Sequence, residues 1–296
     1  MSSRPPIVLR QRRDFGQTIG DTFAFMRQNW KPLWKAIFTI CIPPILLGFL
    51  CIGAFAYNMF NTVTAAASNG AFDSAPSFLP SIASILGILL CIPCFLFGGV
   101  MMEAVTHEYL RAYARGEHIG ITTGDLWRRS IGQFWQYFGI LFLGGIAAMI
   151  GLVLCYLPGI WIGTSFVMAP MAHGEERLGA TDALGRSFKL AHKKWWWTFL
   201  VVVVLYFIIG AIQGMIFLPF YFAAILSFFA GIDGDFSSGP PIAAMIIGGI
   251  GYLLLIVVSF MLMPLFRVGT GLWYHALVEE FESKGLQDRL GYLETL

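Results

Sequence analysis

Charge is scarce in this sequence. Only 12% of its 296 residues are Asp, Glu, Lys or Arg, roughly half the share a soluble domain carries. Long polar segments are missing too, so no attached soluble domain is expected. The basic stretch up to Pro32 lacks the apolar core and small-residue cleavage site of a signal peptide. The first apolar run is therefore expected to stay as a signal anchor. Lys and Arg are absent from residues 58–79 and from the loop GIDGDFSSGPP at 231–241. The five cysteines, Cys41, Cys51, Cys91, Cys94 and Cys155, all lie in apolar stretches. A thiol there behaves as a small hydrophobe, so the Cys91–Cys94 spacing reads as packing rather than redox chemistry. No HExxH, G-x-S-x-G or P-loop pattern occurs, and these are the patterns that would mark a hydrolytic or nucleotide site.

Apolar sequence is abundant: 57% of residues are hydrophobic and mean hydropathy is +0.72. Runs longer than about 18 residues recur, and each can cross a bilayer. The alternating segments of about ten residues that mark a β-barrel do not occur. The expected fold class is all-α, a polytopic membrane bundle. Its six transmembrane helices form three hairpins with interfacial amphipathic helices. Residues 1–16 read as a cytoplasmic tail and 17–296 as one six-helix domain.

The expected spans are 33–57, 80–105, 133–155, 158–173, one within 195–230, and 242–264. Pro43-Pro44 removes backbone donors and should kink the first. Leu157-Pro158-Gly159 signals a turn before the fourth. A single perpendicular helix over 195–230 would reach roughly 54 Å against about 30 Å of hydrocarbon. Pro219 is therefore expected to end that span, with 220–230 at the interface. Charged connectors are expected at 103–129 and 174–194, and an amphipathic tail after Arg267. Cytoplasmic loops are enriched in Lys and Arg. With six spans and both termini inside, all 19 basic residues fall on the cytoplasmic side. The expected location is the inner, cytoplasmic membrane.

One pattern recurs. Gln17–Trp34 lies over Asp182–Phe199 without a gap, matching Gly20 with Gly185, Thr22 with Ser187, Phe23 with Phe188 and Trp30 with Trp195. This defines an internal repeat of 17–112 and 182–284. A weaker copy runs through Trp127, Ile131, Phe134 and Phe138, with Ser130 in the hydroxyl position. Each copy reads as an amphipathic helix leading into an odd-numbered span. Aromatic residues at such joins suit the headgroup layer, which makes Trp30, Trp34, Trp195, Trp196 and Trp197 the expected membrane-interface anchors. Basic residues on the opposite face favour anionic lipid headgroups on the cytoplasmic side.

Polar residues near the membrane are candidates for function. Glu103 and His107 share an i, i+4 spacing, as do His275 and Glu279, and His173 ends the fourth span. Zinc accepts such nitrogen and oxygen donors, yet helix ends re-entering water also collect polar residues. The sequence assigns no catalytic residue, cofactor or metal, and keeps these five as candidate ligands. Gln213 is the clearest polar side chain inside a span.

The stretch YLPGIWIGTSFVMAP followed by GATDALGRSFKLAHKKWWWTF resembles a family of six-span membrane domains, some fused to a glycerophosphoryl diester phosphodiesterase. The pattern rests on Pro158-Gly159, Ala169-Pro170, Glu176 to Gly179, Ala183-Leu184-Ser187 and Trp195–Trp197. It covers about 45 residues, and no counterpart of the phosphodiesterase domain is present, so no enzymatic residue is carried over. The resemblance implies a six-helix module serving as a lipid-facing or partner-holding scaffold. The expected function is a non-enzymatic scaffold or accessory subunit of a membrane complex. The alternative is an oligomeric transporter or channel-like module. Expected partners are the lipid bilayer with its anionic headgroups, and membrane proteins or further copies of the chain, without nucleic acid.

Overall fold

The structure, a computed structural model, describes residues 7–68, 82–117, 120–230 and 242–283. The loop at 231–241, the second half of the expected loop at 58–79 and the end of the tail lie outside the described residues; the first half of that loop is helical, to Ser68. Among the described residues there are ten α-helices and no strand: α1 Phe15–Ile40, α2 Ile42–Ser68, α3 Ile82–Ala114, α4 Thr123–Gly132, α5 Phe134–Leu154, α6 Tyr156–Phe166, α7 Ala169–Glu176, α8 Ala180–Lys193, α9 Trp195–Ala230 and α10 Ile242–Glu282. Four helices are long and apolar enough to cross a membrane, or five if the bent pair α1–α2 is one span. The chain is a helical, multi-pass membrane protein.

α1 starts at a capping box. The Asp14 carboxylate accepts from the Gln17 main-chain N–H at 2.7 Å, and the Gln17 side-chain Oε1 accepts from the Asp14 N–H at 3.2 Å. This satisfies two otherwise orphaned donors. The helix then runs through Pro32 rather than giving way there to a separate span. Pro32 sits on the exposed face, while Leu33 and Ile37 are buried behind it. Packing on the inner face holds the helix across the lost hydrogen bond. The break falls instead at Cys41, just before Pro43-Pro44, and the axis bends by 48°.

Three other prolines are also carried inside helices. α3 passes Pro93, α9 passes Pro219 without ending, and α10 passes Pro264. Pro219 does not end the helix, which is continuous to Ala230. A helix with a neighbour packed along it tolerates such a residue, because the neighbour stabilises the helix around the freed carbonyl; α9 and α10 pack along each other.

The expected fourth span at 158–173 is two short helices, α6 and α7, separated at Val167-Met168. The turn before it is made by Cys155, whose backbone is extended, and not by Pro158-Gly159. Pro158 falls in the first turn of α6, where an N–H has no helical partner to lose. Gly159 is needed for close approach. A Cβ there would lie 2.5 Å from the Leu152 backbone nitrogen, and one on Gly151 would lie 2.8 Å from the Gly159 Cα. The two glycines let α5 and α6 touch backbone to backbone.

The core occupies one end of the molecule. Its largest fully buried side chains include Leu33 and Ile37 of α1, Met101 and Tyr109 of α3, Met171 of α7 and Tyr274 of α10. Here the structure overturns two expectations. The connector expected from Glu103 is helical to Ala114, and Val100–Tyr113 are buried throughout. The expected amphipathic tail is the last third of α10, and Arg267–Val278 are buried without exception. Both segments are enclosed because α1, α7, α9 and each other pack around them. The heaviest contacts elsewhere join α9 with α10, α2 with α3 and α5 with α6. Outside the core these helices leave large apolar side chains bare; Val153 is 82% exposed and Met215 79%.

Candidate functional site

Polar side chains are gathered where α3, α5, α7 and α10 meet. Glu103 and His107 lie one turn apart on α3. The His107 Nδ1–H donates to the Glu103 main-chain carbonyl at 2.9 Å, and the same nitrogen stands 3.5 Å from Glu103 Oε1. Arg267, 164 positions later on α10, donates through Nε to Glu103 Oε2. Glu103 is 8% exposed and Arg267 7%. A second buried pair, Arg111 with Glu108 at 3.4 Å, sits one turn further along α3.

Tyr137 of α5 completes the cluster. It is fully buried, stacks on His107 with ring centroids 6.1 Å apart, and meets His173 edge-on at 5.0 Å. His173 of α7 donates from Nδ1 to the Leu178 carbonyl at 2.6 Å, so in the neutral ring Nε2 is an acceptor. Three buried atoms of the cluster have no hydrogen-bond partner: Tyr137 Oη, His173 Nε2 and Arg267 Nη1. The cluster thus offers two donors and one acceptor beside a carboxylate already held by an arginine.

Energetics decide what the pair can do. Withdrawing two charges from water costs several kcal/mol per ion, and the pair is favourable only when well partnered. Deleting one member leaves a bare buried charge. The arrangement therefore fixes how α3 and α10 meet more than it adds stability.

The five candidate ligands divide. Glu103, His107 and His173 come together. His275 and Glu279 lie on another face of α10, where with Glu175 they line a cavity of about 240 Å³. Among the described residues no three His, Cys, Asp or Glu side chains form a group able to hold a metal ion. The partner of Glu103 on α10 is Arg267. Sequence reading missed Arg267 and Tyr137 as members of the cluster. Arg267 carried only the signal of a charge beside Pro264, and Tyr137 only that of a phenol in an apolar run.

A rim of exposed or half-exposed ion pairs surrounds this end. Arg186 of α8 bridges Glu176 of α7 at 2.8 Å and Glu282 of α10 at 2.6 Å. Its hydrogen bonding to Glu282, then to Glu176, outweighs burial and raises the guanidinium above its usual pKa. Lys194 pairs with Glu280 at 2.5 Å and Arg10 with Glu175 at 3.1 Å. On the 115–130 turn, the hydrogen bond from Arg129 holds Glu117 below the usual carboxylate range.

The expected anchors are not equivalent. Trp30, Trp196 and Trp197 are exposed, while Trp195 is half-buried and donates weakly to the Trp161 carbonyl at 3.4 Å. Trp34 departs from the expectation. It is 5% exposed, covered by Trp30 and Phe38 with centroids 5.2 Å away on each side. Gln213 donates to Ser259 Oγ at 2.9 Å, which joins α9 to α10. Comparison of the chain with protein-family models, curated proteins and solved structures finds no match.

Proposed function

We propose that this protein is a scaffold or accessory subunit of a membrane complex, built on a rigid cytoplasmic base. The observation that carries the reading is the Glu103–Arg267 pair within its buried cluster. Polar groups of the kind that handle a solute in transporters are here used to lock helices together, while broad apolar faces stay open to lipid and partner helices. Helices α2 with α3, α5 with the broken α6–α7 segment, and α9 with α10 serve as three hairpins. Together they make six crossings of the inner membrane, with both termini in the cytoplasm. The burial of Thr22, Ser130 and Ser187, all fully enclosed, supports the internal repeat, because these hydroxyls occupy matching places in the three copies. Anionic headgroups meet the base along its basic rim. The resemblance carried by residues 155–199 accords with such a module.

The transporter reading draws less support. Its best polar residue within a span, Gln213, is engaged with Ser259, the kind of interhelical hydrogen bond that holds membrane helices together.

The test is purification from native membranes in mild detergent, read by mass spectrometry. Partner proteins at fixed ratio are expected. A chain recovered alone at every detergent strength would contradict the scaffold assignment.

A further inference from the structure

Seven of the described basic residues are in ion pairs: Arg10 with Glu175, Arg13 with Asp21, Arg111 with Glu108, Arg129 with Glu117, Arg186 with Glu176, Lys194 with Glu280 and Arg267 with Glu103. Other cations, such as Arg115, Arg128 and Arg177, are exposed at scattered places. Arg27, Lys31 and Lys35 stand apart because they line up on one helix. They are exposed, and among the described residues none of them is in an ion pair.

These three cations stand at i, i+4 and i+8 on α1, one above another. Phe23, Trp30 and Phe38 share their side of the helix and are also exposed. At 100° per residue the six side chains fall within about 140° of the helix circumference. Beside them runs an open groove of about 850 Å³ that includes Gly20, Phe23, Arg27, Trp30 and Lys31. Trp34 lies in the same arc beneath Trp30 and Phe38, and its indole N–H is buried with no acceptor. In the first turns of α2, beyond Cys41, the exposed side chains are apolar, among them Leu46, Leu47 and Leu50.

We propose that this outer face of α1 is a binding site for an anionic phospholipid of the cytoplasmic leaflet. Its phosphate is held by Arg27, Lys31 and Lys35 and its upper chains lie against Trp30 and Phe38. Charge complementarity selects the occupant. Three unopposed cations beside aromatic rings suit a phosphate at the border of an apolar phase, where an amphipathic helix binds through apolar contact and attraction to anionic lipid together. The neighbouring apolar face of α2 provides the continuation that a lipid, unlike free phosphate, needs. The proposal rests on the chain being an integral membrane protein with its base in the cytoplasm.

The purified chain in neutral detergent is titrated with phosphatidylglycerol, phosphatidylcholine and inorganic phosphate, with bound molecules counted by native mass spectrometry. Saturable binding of phosphatidylglycerol over phosphatidylcholine is expected. The triple variant Arg27→Gln/Lys31→Gln/Lys35→Gln should bind about 100-fold more weakly, at about tenfold per 1.4 kcal/mol and roughly 1 kcal/mol for each basic residue. The charge-retaining variant Arg27→Lys/Lys31→Arg/Lys35→Arg should bind like the wild type, and this also reports on folding. Arg115→Gln/Arg128→Gln/Arg177→Gln removes three exposed cations elsewhere and should bind like the wild type too. Equal loss in both glutamine variants, no preference for phosphatidylglycerol, or equal uptake of inorganic phosphate would overturn the site. Because the titration is done in detergent, its failure is distinct from a failure of the membrane topology, which labelling in cells reads separately.

Discussion

Two parts of one helix, α10, live in different surroundings. In its apolar window only 6% of residues are buried inside the protein. From Arg267 to Val278 every residue is buried. α3 divides the same way, bare around Leu89 and Leu90 and enclosed from Val100 to Tyr113. In the enclosed part, contacts within the chain decide the geometry, and polar groups must find partners there. In the bare part, lipid or other helices provide the contacts, and side chains need only be apolar. The division predicts that substitutions of similar size will have very different effects on the two sides.

The largest effect is expected from Arg267→Ala, which leaves Glu103 charged and buried. Such a deletion costs about 3–5 kcal/mol, measurable as a lower unfolding temperature in detergent. The double variant Glu103→Leu/Arg267→Leu should recover most of that loss, since no bare charge remains. A single variant that melts with the wild type would break the comparison at its enclosed end.

Next comes Gly159→Leu, at the α5–α6 contact. Any Cβ at this position meets Leu152 backbone and side chain, and overpacking of this kind costs about 1–3 kcal/mol. The effect should appear as loss of thermal stability, with Gly145→Ala, where a Cβ meets nothing within 4 Å, as the silent control. Ser187→Ala removes the hydrogen bond to the Ser165 carbonyl, 2.6 Å long and fully buried. About 1 kcal/mol is expected, and chemical unfolding should resolve it. Smallest of all is Val153→Ala, on an exposed span face. It should shift stability in detergent by no more than about 0.5 kcal/mol; a shift as large as that of Gly159→Leu would erase the distinction between the two regions.

The sequence made the helical class and the apolar stretches legible because composition and run length are local properties. It also placed the bend near Pro43-Pro44, since a missing donor acts where it stands. Burial of the connector and tail was not legible. Glu103, Glu108 and Arg111 fall in the stretch expected as a charged connector, and their covering helices are remote in sequence. Arg267 is 164 positions from Glu103, and no periodicity connects such a pair. Trp34 misled for a related reason. Its position on α1 matched the exposed Trp30, but stacking by Trp30 and Phe38 closes it off. Of the five candidate ligands, helix spacing correctly kept Glu103 with His107. Joining His173 to them and separating His275 required the packing of α5 and α7.

The central claim is that the buried base lies on the cytoplasmic side and the loops between paired helices lie on the other. Single-cysteine labelling in intact cells tests it most directly. In a cysteine-free background, Ser237→Cys should react with a membrane-impermeant maleimide from outside. Glu117→Cys, exposed at the edge of the base, should react only after the membrane is opened. Labelling of both positions from the same side, or the reverse pattern, would contradict the account.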